Sequence, residues 1–149
     1  MLIRPATIAD IPSILKLERQ SATAGHWTEE QYRQALQHGG AARLVLIAED
    51  SGAVPIGFLV ALHLAPEWEL ENIVVVPSVR RKGLGKQLLD SLLAAAHETC
   101  STSVFLEVRE SNAVARSLYE KAGFEQTGRR NSYYTNPPED AIRYRRTLR

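Results

Sequence analysis

A single cysteine, Cys100, excludes an internal disulfide. Charge of one sign is lacking too: 18 Lys and Arg face 17 Asp and Glu, a formal net charge of +1. A surface built for general nucleic-acid binding shows a strongly basic balance, so any charge effect here is local and no direct nucleic-acid partner is expected. Apolar runs are short. None approaches the roughly 20 residues of a membrane-spanning helix, and Met1-Leu2-Ile3-Arg4-Pro5 lacks the long apolar region of a secretory signal. Low-complexity tracts are missing as well. The expectation is a cytoplasmic protein with no membrane partner, folded as one domain over 1–149 with its own core. Nothing in the sequence near Cys100 would activate a thiol, so it is read as inert and partly buried.

What is present is concentrated between Leu70 and Lys86, Leu-Glu-Asn-Ile-Val-Val-Val-Pro followed by Ser-Val-Arg-Arg-Lys-Gly-Leu-Gly-Lys. A β-branched run stops at Pro77, a basic glycine-containing turn follows, and Leu84, Leu88, Leu89, Leu92 and Leu93 then recur at helical spacing. Strand, turn and helix in that order leave free N–H groups and the positive end of a helix dipole at the turn, a ready site for an anion. Gly83 and Gly85 let a phosphate approach the main chain, and Arg80, Arg81, Lys82 and Lys86 add charge around it. The ligand suggested is one with a pyrophosphate. Alone, Arg80-x-x-Gly83-x-Gly85 is equally compatible with a glycine turn that merely joins a strand to a helix.

The rest of the chain reads as alternating elements. Thr7 with Asp10 resembles a helix start, and Ile11, Ile14, Leu15 and Leu17 continue that helix to about Ser21. After the link 22–25, Thr28 with Gln31 fits a second capping box for a helix through Gln37, ended by Gly39-Gly40. Trp27, just before that cap, is a hydrophobic staple or the wall of a cleft. Arg43–Glu49 and Ile56–Leu64 read as a hairpin, His63 as a packed or surface residue, and Trp68–Val76 as the strand leading into the turn. On that strand strict alternation puts Glu69, Glu71, Ile73 and Val75 on one face and Leu70, Asn72, Val74 and Val76 on the other. The two carboxylates are then either a solvated edge or part of a site. A helix from Leu84 to about Glu98 and a strand Ser103–Arg109 follow. Next comes a helix capped at Ser111 or Asn112 and stopped by Gly123, with Ala115, Leu118, Tyr119 and Ala122 on one side. The tail reads as strand Glu125–Arg130, a polar loop Asn131–Asp140 and a last strand Ala141–Leu148.

Taken together, Arg80-x-x-Gly83-x-Gly85, Leu106-Glu107-Val108-Arg109 and Ser111-Asn112-x-x-Ala115-x-x-Leu118-Tyr119-x-x-x-Gly123-Phe124 resemble the GNAT superfamily of acetyl-coenzyme A-dependent N-acetyltransferases. Within it the chain is most similar to the RimI group of bacterial ribosomal-protein-alanine N-acetyltransferases. That similarity extends to Trp27-Thr28, Asn72-Ile73-x-Val75, Arg130, Tyr133-Tyr134 and Glu139-Asp140-Ala141. His26 stands where the group usually has Pro, and Ile142-Arg143-Tyr144-Arg145-Arg146 is less apolar than its usual last strand. The resemblance implies a mixed α/β (α+β) fold, a mostly antiparallel twisted sheet of about seven strands flanked by about four helices. It implies acetyl-coenzyme A as co-substrate and no metal, with the pyrophosphate on the backbone of 81–86. The pantetheine arm would lie along Ile73, Val74 and Val75 like an added strand. It also implies contributions from Arg80, Arg81, Lys82, Gly83, Leu84, Gly85, Lys86 and Asn112, with Glu107 as general base and Tyr119 as general acid.

Acetyl transfer to an amine needs a neutral amine, a polarised thioester carbonyl and a proton for the departing thiolate. About one α-amine in seven is neutral at pH 7, against roughly one lysine in 2,500, a difference of about 3.5 kcal/mol. A carboxylate base therefore suits an N-terminal acceptor, the expected one being the N-terminal alanine of a small-subunit ribosomal protein. A peptide acceptor calls for a groove, expected between Trp27 and the loop 131–140, with Glu71, Tyr133 and Tyr134 as substrate contacts. A lysine, polyamine or other small amine is the alternative acceptor. A different class is a non-catalytic coenzyme A-binding module docking through Arg143, Arg145, Arg146 and Arg149, four residues that a solvated edge strand would equally carry. A monomer or weak dimer is expected.

Overall fold

The computed structural model describes residues 1–21, 25–37, 42–80 and 82–148. Its elements run β1 (Leu2–Pro5), α1 (Ile11–Arg19), α2 (Glu29–Gln37), β2 (Arg43–Glu49), β3 (Pro55–Leu64), β4 (Glu67–Val75), α3 (Leu84–Glu98), β5 (Ser103–Arg109), α4 (Ala113–Lys121), β6 (Glu125–Thr135) and β7 (Pro138–Thr147). The strands form one sheet in the order β1-β2-β3-β4-β5-β7-β6. Every pair in it is antiparallel except β4 with β5. The mixed α/β fold with a mostly antiparallel sheet is the one the sequence led us to expect. No described helix is long and apolar enough to cross a membrane.

Local chemistry explains the helix starts. At α2 the capping box is reciprocal, Thr28 N–H donating to Gln31 Oε1 at 2.8 Å and Gln31 N–H to Thr28 Oγ1 at 3.1 Å. Asn112 caps α4 by accepting from Ala115 N–H at 3.2 Å. Gly83 starts α3 with φ +83°, a left-handed conformation costly for any residue with a Cβ. Along α3, Leu84, Leu88, Leu89, Leu92, Leu93 and Ala96 are buried. At about 1.5–3 kcal/mol for each fully buried leucine, this face rather than helix propensity fixes α3 on the sheet.

The sheet separates two cores. On one side Leu46, Leu59, Leu70, Leu106, Ile142 and Tyr144 pack with α3 and with Tyr119 of α4. On the other Val45, Ile47, Phe58, Val60 and Val74 pack with Ile11, Ile14, Leu17 and Tyr32 of α1 and α2. The buried members of that second core come from β2, β3 and β4, so its helices cover only part of their face, and the β5–β7 region beside them is left to charged and aromatic side chains.

Strict alternation along β4 fails at one point. Asn72 pairs with Val60 and Leu70 with Ala61, so Glu71 is the extra residue of a bulge. The bulge turns the strand over. Trp68 and Leu70 before it, and Ile73 and Val75 after it, all pack on the α3 core, while Val74 joins the other. Ile73 and Val75 therefore do not share a face with Glu69, as the two-residue period predicts, because one inserted residue shifts the period by one.

Other expectations are corrected. The first α-helix ends at Arg19 rather than Ser21. Residues 131–140 are not one polar loop: β6 runs to Thr135 and β7 starts at Pro138. A bulge between Arg130 and Tyr134 absorbs the polar residues, with Ser132 at φ 51° and its N–H on Asp140 Oδ1 at 2.8 Å. The strand β7 lies between β5 and β6, so its arginines are not on a sheet edge. Cys100 is exposed, in left-handed backbone (φ 54°) just past α3. Gly39-Gly40, Arg81, Arg149 and residues 22–24 of the first link lie outside the described residues.

Candidate active site

The parallel pairing of β4 and β5 covers only Glu67–Leu70 against Ser103–Leu106. Beyond it β4 continues to Val75 and β5 to Arg109, so the two strands part. Along 72–75 the β4 backbone pairs with β3 on one side, while its ladder to β5 has ended, leaving an edge with peptide groups available to an extended amide-bearing arm. Ile73 and Val75 turn toward the α3 core and Val74 away from it.

The edge leads to the start of α3. No side chain caps this helix and its first turn carries no acidic residue. Gln87 N–H donates to Gly83 O at 3.0 Å, and the N–H groups preceding it are those a helix leaves without intrahelical acceptors. A Cβ on Gly85 would sit 3.1 Å from Leu118 Cδ2, so glycine there lets α3 and α4 approach closely. The residues thus fit a pyrophosphate joined to an amide-bearing arm. Of the basic residues, Arg80 folds back to donate to Val75 O at 3.2 Å, and Lys86 pairs with Asp90 at 2.8 Å with 70% of its side chain exposed. Lys82 is exposed, and the Leu84 side chain is buried in the core, which leaves its backbone N–H to meet a ligand. The Asn112 carbonyl is committed to the α4 cap, which leaves its NH₂ group to meet the arm.

Glu107 is the first residue of β5 beyond the last β4 pair, at the mouth of the opening. Its side chain is 13% exposed and ion-paired with Arg130, without hydrogen-bond geometry for the buried Oε2. Across the ladder from it, Arg143 also keeps a buried Nε without a hydrogen-bond partner among the described residues. Glu71 is not a free substrate contact: Arg43 grips it with Nε at 2.8 Å and Nη2 at 3.0 Å. Glu67 pairs with Arg145. Glu69 is different, since no arginine is paired with it among the described residues. Burial, then Glu71 and Glu107, push its carboxyl above the ordinary range. Alternation along β4 leaves Glu69 open between a solvated edge and a site and does not distinguish it from Glu71. The bulge at Glu71, which assigns the two carboxylates different environments, leaves no signal in the residue types.

Tyr119 lies on the α3 side, 5% exposed, its ring 5.9 Å from Phe124 and 6.2 Å from Tyr144. Burial, followed by the Tyr134 phenol, raises its pKa well above the ordinary value, so the hydroxyl keeps its proton. Tyr134 itself is pushed up to about 12, first by burial and then by Glu107.

Two aromatic walls flank the floor. The Trp27 ring packs tilted against Tyr32, centroids 5.1 Å apart, with Arg43 5.0 Å from the Trp27 ring. The Trp27 backbone N–H donates to buried Glu18 Oε1 at 3.0 Å, and the other oxygen of Glu18 takes the Tyr32 hydroxyl. Asn72 is tied to the same segment through Gly25 O at 3.1 Å. Opposite, Tyr133 and Tyr134 meet edge to face at 5.2 Å, beside Arg130 and Arg109. Between the walls Arg143 and Arg145 lie over Phe105 at 4.9 and 5.5 Å.

Residues 11–124 match the family model described as "Acetyltransferase (GNAT) family". The chain belongs to the GNAT acetyltransferase family. It is an acyltransferase, similar over 137 residues, at 36% identity, to the [ribosomal protein bS18]-alanine N-acetyltransferase of Salmonella typhimurium, covering 89% of this chain and 88% of the relative. The crystal structure of the ribosomal-protein-S18-alanine N-acetyltransferase from Escherichia coli superposes with TM-score 0.86 at 30% identity, over 99% of this chain and 93% of that one. Ard1 from Thermoplasma volcanium superposes with TM-score 0.87 at 26% identity, over 99% and 97%. Membership of the GNAT family, and similarity to ribosomal-protein-alanine acetyltransferases, are what the motifs around Gly83, Glu107 and Tyr119 led us to expect.

Proposed function

We propose that this GNAT acetyltransferase moves an acetyl group from acetyl-coenzyme A to the N-terminal α-amine of a protein, the acceptor being the N-terminal alanine of a small-subunit ribosomal protein. The observation that carries the reading is Glu69, a carboxylate with no arginine paired to it among the described residues, at the β4–β5 opening between Trp27 and the Tyr133-Tyr134 hairpin. A chain end can lie between two aromatic walls with its ammonium over carboxylates. The names of the two ribosomal-protein relatives support the same acceptor.

The roles follow from the chemistry. The α3 N-terminus with Gly83, Gly85, Lys82 and Lys86 holds the pyrophosphate, and the open β4 edge at 73–75 orients the arm, with the NH₂ of Asn112 beside it. Arg80 and Arg81 contribute charge at the turn. Acetyl-coenzyme A supplies an acyl group already activated as a thioester. Glu69, the carboxylate without an arginine, receives the acceptor's ammonium. Glu107 takes the proton from that nitrogen, directly or through one water, which frees the lone pair to form the C–N bond. Tyr119 gives its proton to the sulfur as the C–S bond breaks, and the extra proton left on the newly acylated nitrogen departs to restore the phenol, so that amide, thiol and a protonated Glu107 result. Trp27, Tyr133 and Tyr134 hold the peptide backbone. Glu71 serves through Arg43 and Trp27 instead of touching the substrate itself.

Acetyl-coenzyme A consumption against peptides beginning with alanine, an N-terminally blocked lysine peptide and polyamines tests this reading. Turnover concentrated on the free α-amine supports it. Turnover on lysine or polyamine alone moves the enzyme to the other acceptor class, and tight cofactor binding with no turnover on any of them makes it a binding module.

A further inference from the structure

Arg109 lies two residues beyond Glu107 on β5, hence on the same face of the strand. Its side chain is 20% exposed. Nη1 donates to Pro137 O at 2.9 Å and to Glu139 Oε1 at 3.3 Å, and Nη2 to Asn136 O at 3.2 Å. The guanidinium carbon stands 4.3 Å from the centre of the Tyr134 ring. The other oxygen of Glu139 takes Ser111 N–H at 2.6 Å, which ties the same hairpin tip to the loop before α4. One planar group thus grips three oxygens of the tip and one aromatic face.

The hairpin is also tied by the Arg130–Glu107 ion pair and by Glu110 N–H on Asp140 O at 3.1 Å, but of these cations and donors it is Arg109 that lies on the ring of Tyr134. As the last strand in the sheet, β6 pairs with β7 alone, and the ladder is interrupted between Arg130 and Tyr134. Arg129 bridges Glu110 and Asp140, but with 39% of its side chain exposed that pair is worth little. We propose that Arg109 is a positioning residue for acyl transfer, holding the β6–β7 tip so that Tyr134 stands over the groove beside Glu107 and thereby setting the affinity for a peptide acceptor. The inference rests on the peptide-acceptor reading above. A lysine cannot replace the arginine here, because an ammonium has neither the fork nor the flat face.

The test is steady-state kinetics of Arg109→Ala, Arg109→Lys, Tyr134→Ala and the double variant Arg109→Ala/Tyr134→Ala, with hydrogen exchange of the amides of residues 131–139. Arg109→Ala is expected to raise KM for an alanine-starting peptide by about tenfold or more while KM for acetyl-coenzyme A stays within about twofold. Arg109→Lys restores little, the double variant is no worse than Tyr134→Ala alone, and the hairpin amides exchange faster. Equal rises in both KM values, additive losses in the double variant, full rescue by lysine, or unchanged hairpin exchange would each overturn the proposal. If the wild type acetylates no peptide, the functional reading fails separately. The hydrogen-exchange comparison, and the same kinetics with whichever amine is turned over, then still judge Arg109.

Discussion

On the cofactor side, between β4 and α3, the binding features belong to the backbone: an open strand edge at 72–75, a left-handed Gly83, and a helix start without a side-chain cap. On the acceptor side, between Trp27 and the β6–β7 hairpin, they belong to side chains: four carboxylates, three of them gripped by Arg145, Arg43 and Arg130, and two aromatic walls each beside an arginine. Backbone features need few particular residues and survive change elsewhere. A site made of paired side chains can be altered one pair at a time, so in the proposed reading it is the half that sets acceptor choice. Glu107 stands at the mouth of the β4–β5 opening, and Tyr119 is buried on the α3 side.

Changes at these two residues should have the largest effects. Tyr119→Phe is expected to lower kcat by about 100-fold or more, from the lower end of the range for lost acid catalysis upward. Its KM for acetyl-coenzyme A should stay within about twofold; an equal loss in both would place Tyr119 in cofactor binding. Glu107→Gln should cost roughly 10- to 100-fold in kcat at about pH 6.5 and less at about pH 9, where more of the amine is already neutral. A pH-independent loss would mean that Glu107 positions instead of accepting a proton.

Changes within one half should move one KM only. Glu69→Gln is expected to raise the peptide KM by roughly tenfold and to leave that for acetyl-coenzyme A alone. Removing the exposed charge in Lys86→Ala should do the reverse, raising the acetyl-coenzyme A KM a few-fold, about what a charge near a helix N-terminus is worth. If both variants move both constants, the division between halves is wrong.

The smallest effect is on stability. The Glu69 carboxyl is raised above its ordinary value, so the native state holds more protons than the unfolded chain between the ordinary and the raised pKa. Its contribution is full below the ordinary carboxyl range and is lost as pH rises through the raised value. Glu69→Gln should therefore raise Tm slightly at pH 7 and leave it unchanged near pH 3; a lower Tm at pH 7 would show that the carboxylate has a partner.

The same contrast explains what the sequence disclosed. Backbone features announce themselves in residue type. A β-branched run, Pro77, Gly83, Gly85 and a leucine period define β4, the turn and α3, and Asn112 with Gly123 marks both ends of α4. Glu107 and Tyr119 are singled out only by the family resemblance that those landmarks carry. The acceptor side was harder to read, since pairing between distant residues decides it. Arg43 on β2 claims Glu71 on β4, the Glu71 bulge reverses Ile73 and Val75, and Arg109 with Asp140 turns an apparently polar loop at 131–140 into a bulged hairpin. Each is a long-range contact without a local signal.

The most direct test is to react the protein with acetyl-coenzyme A and one peptide that starts with a free alanine and also carries an internal lysine, then to locate the acetyl group by fragmentation mass spectrometry. The account predicts acetylation at the alanine nitrogen, lost on Tyr119→Phe. An acetyl group on the lysine nitrogen, with the alanine left free, would contradict it.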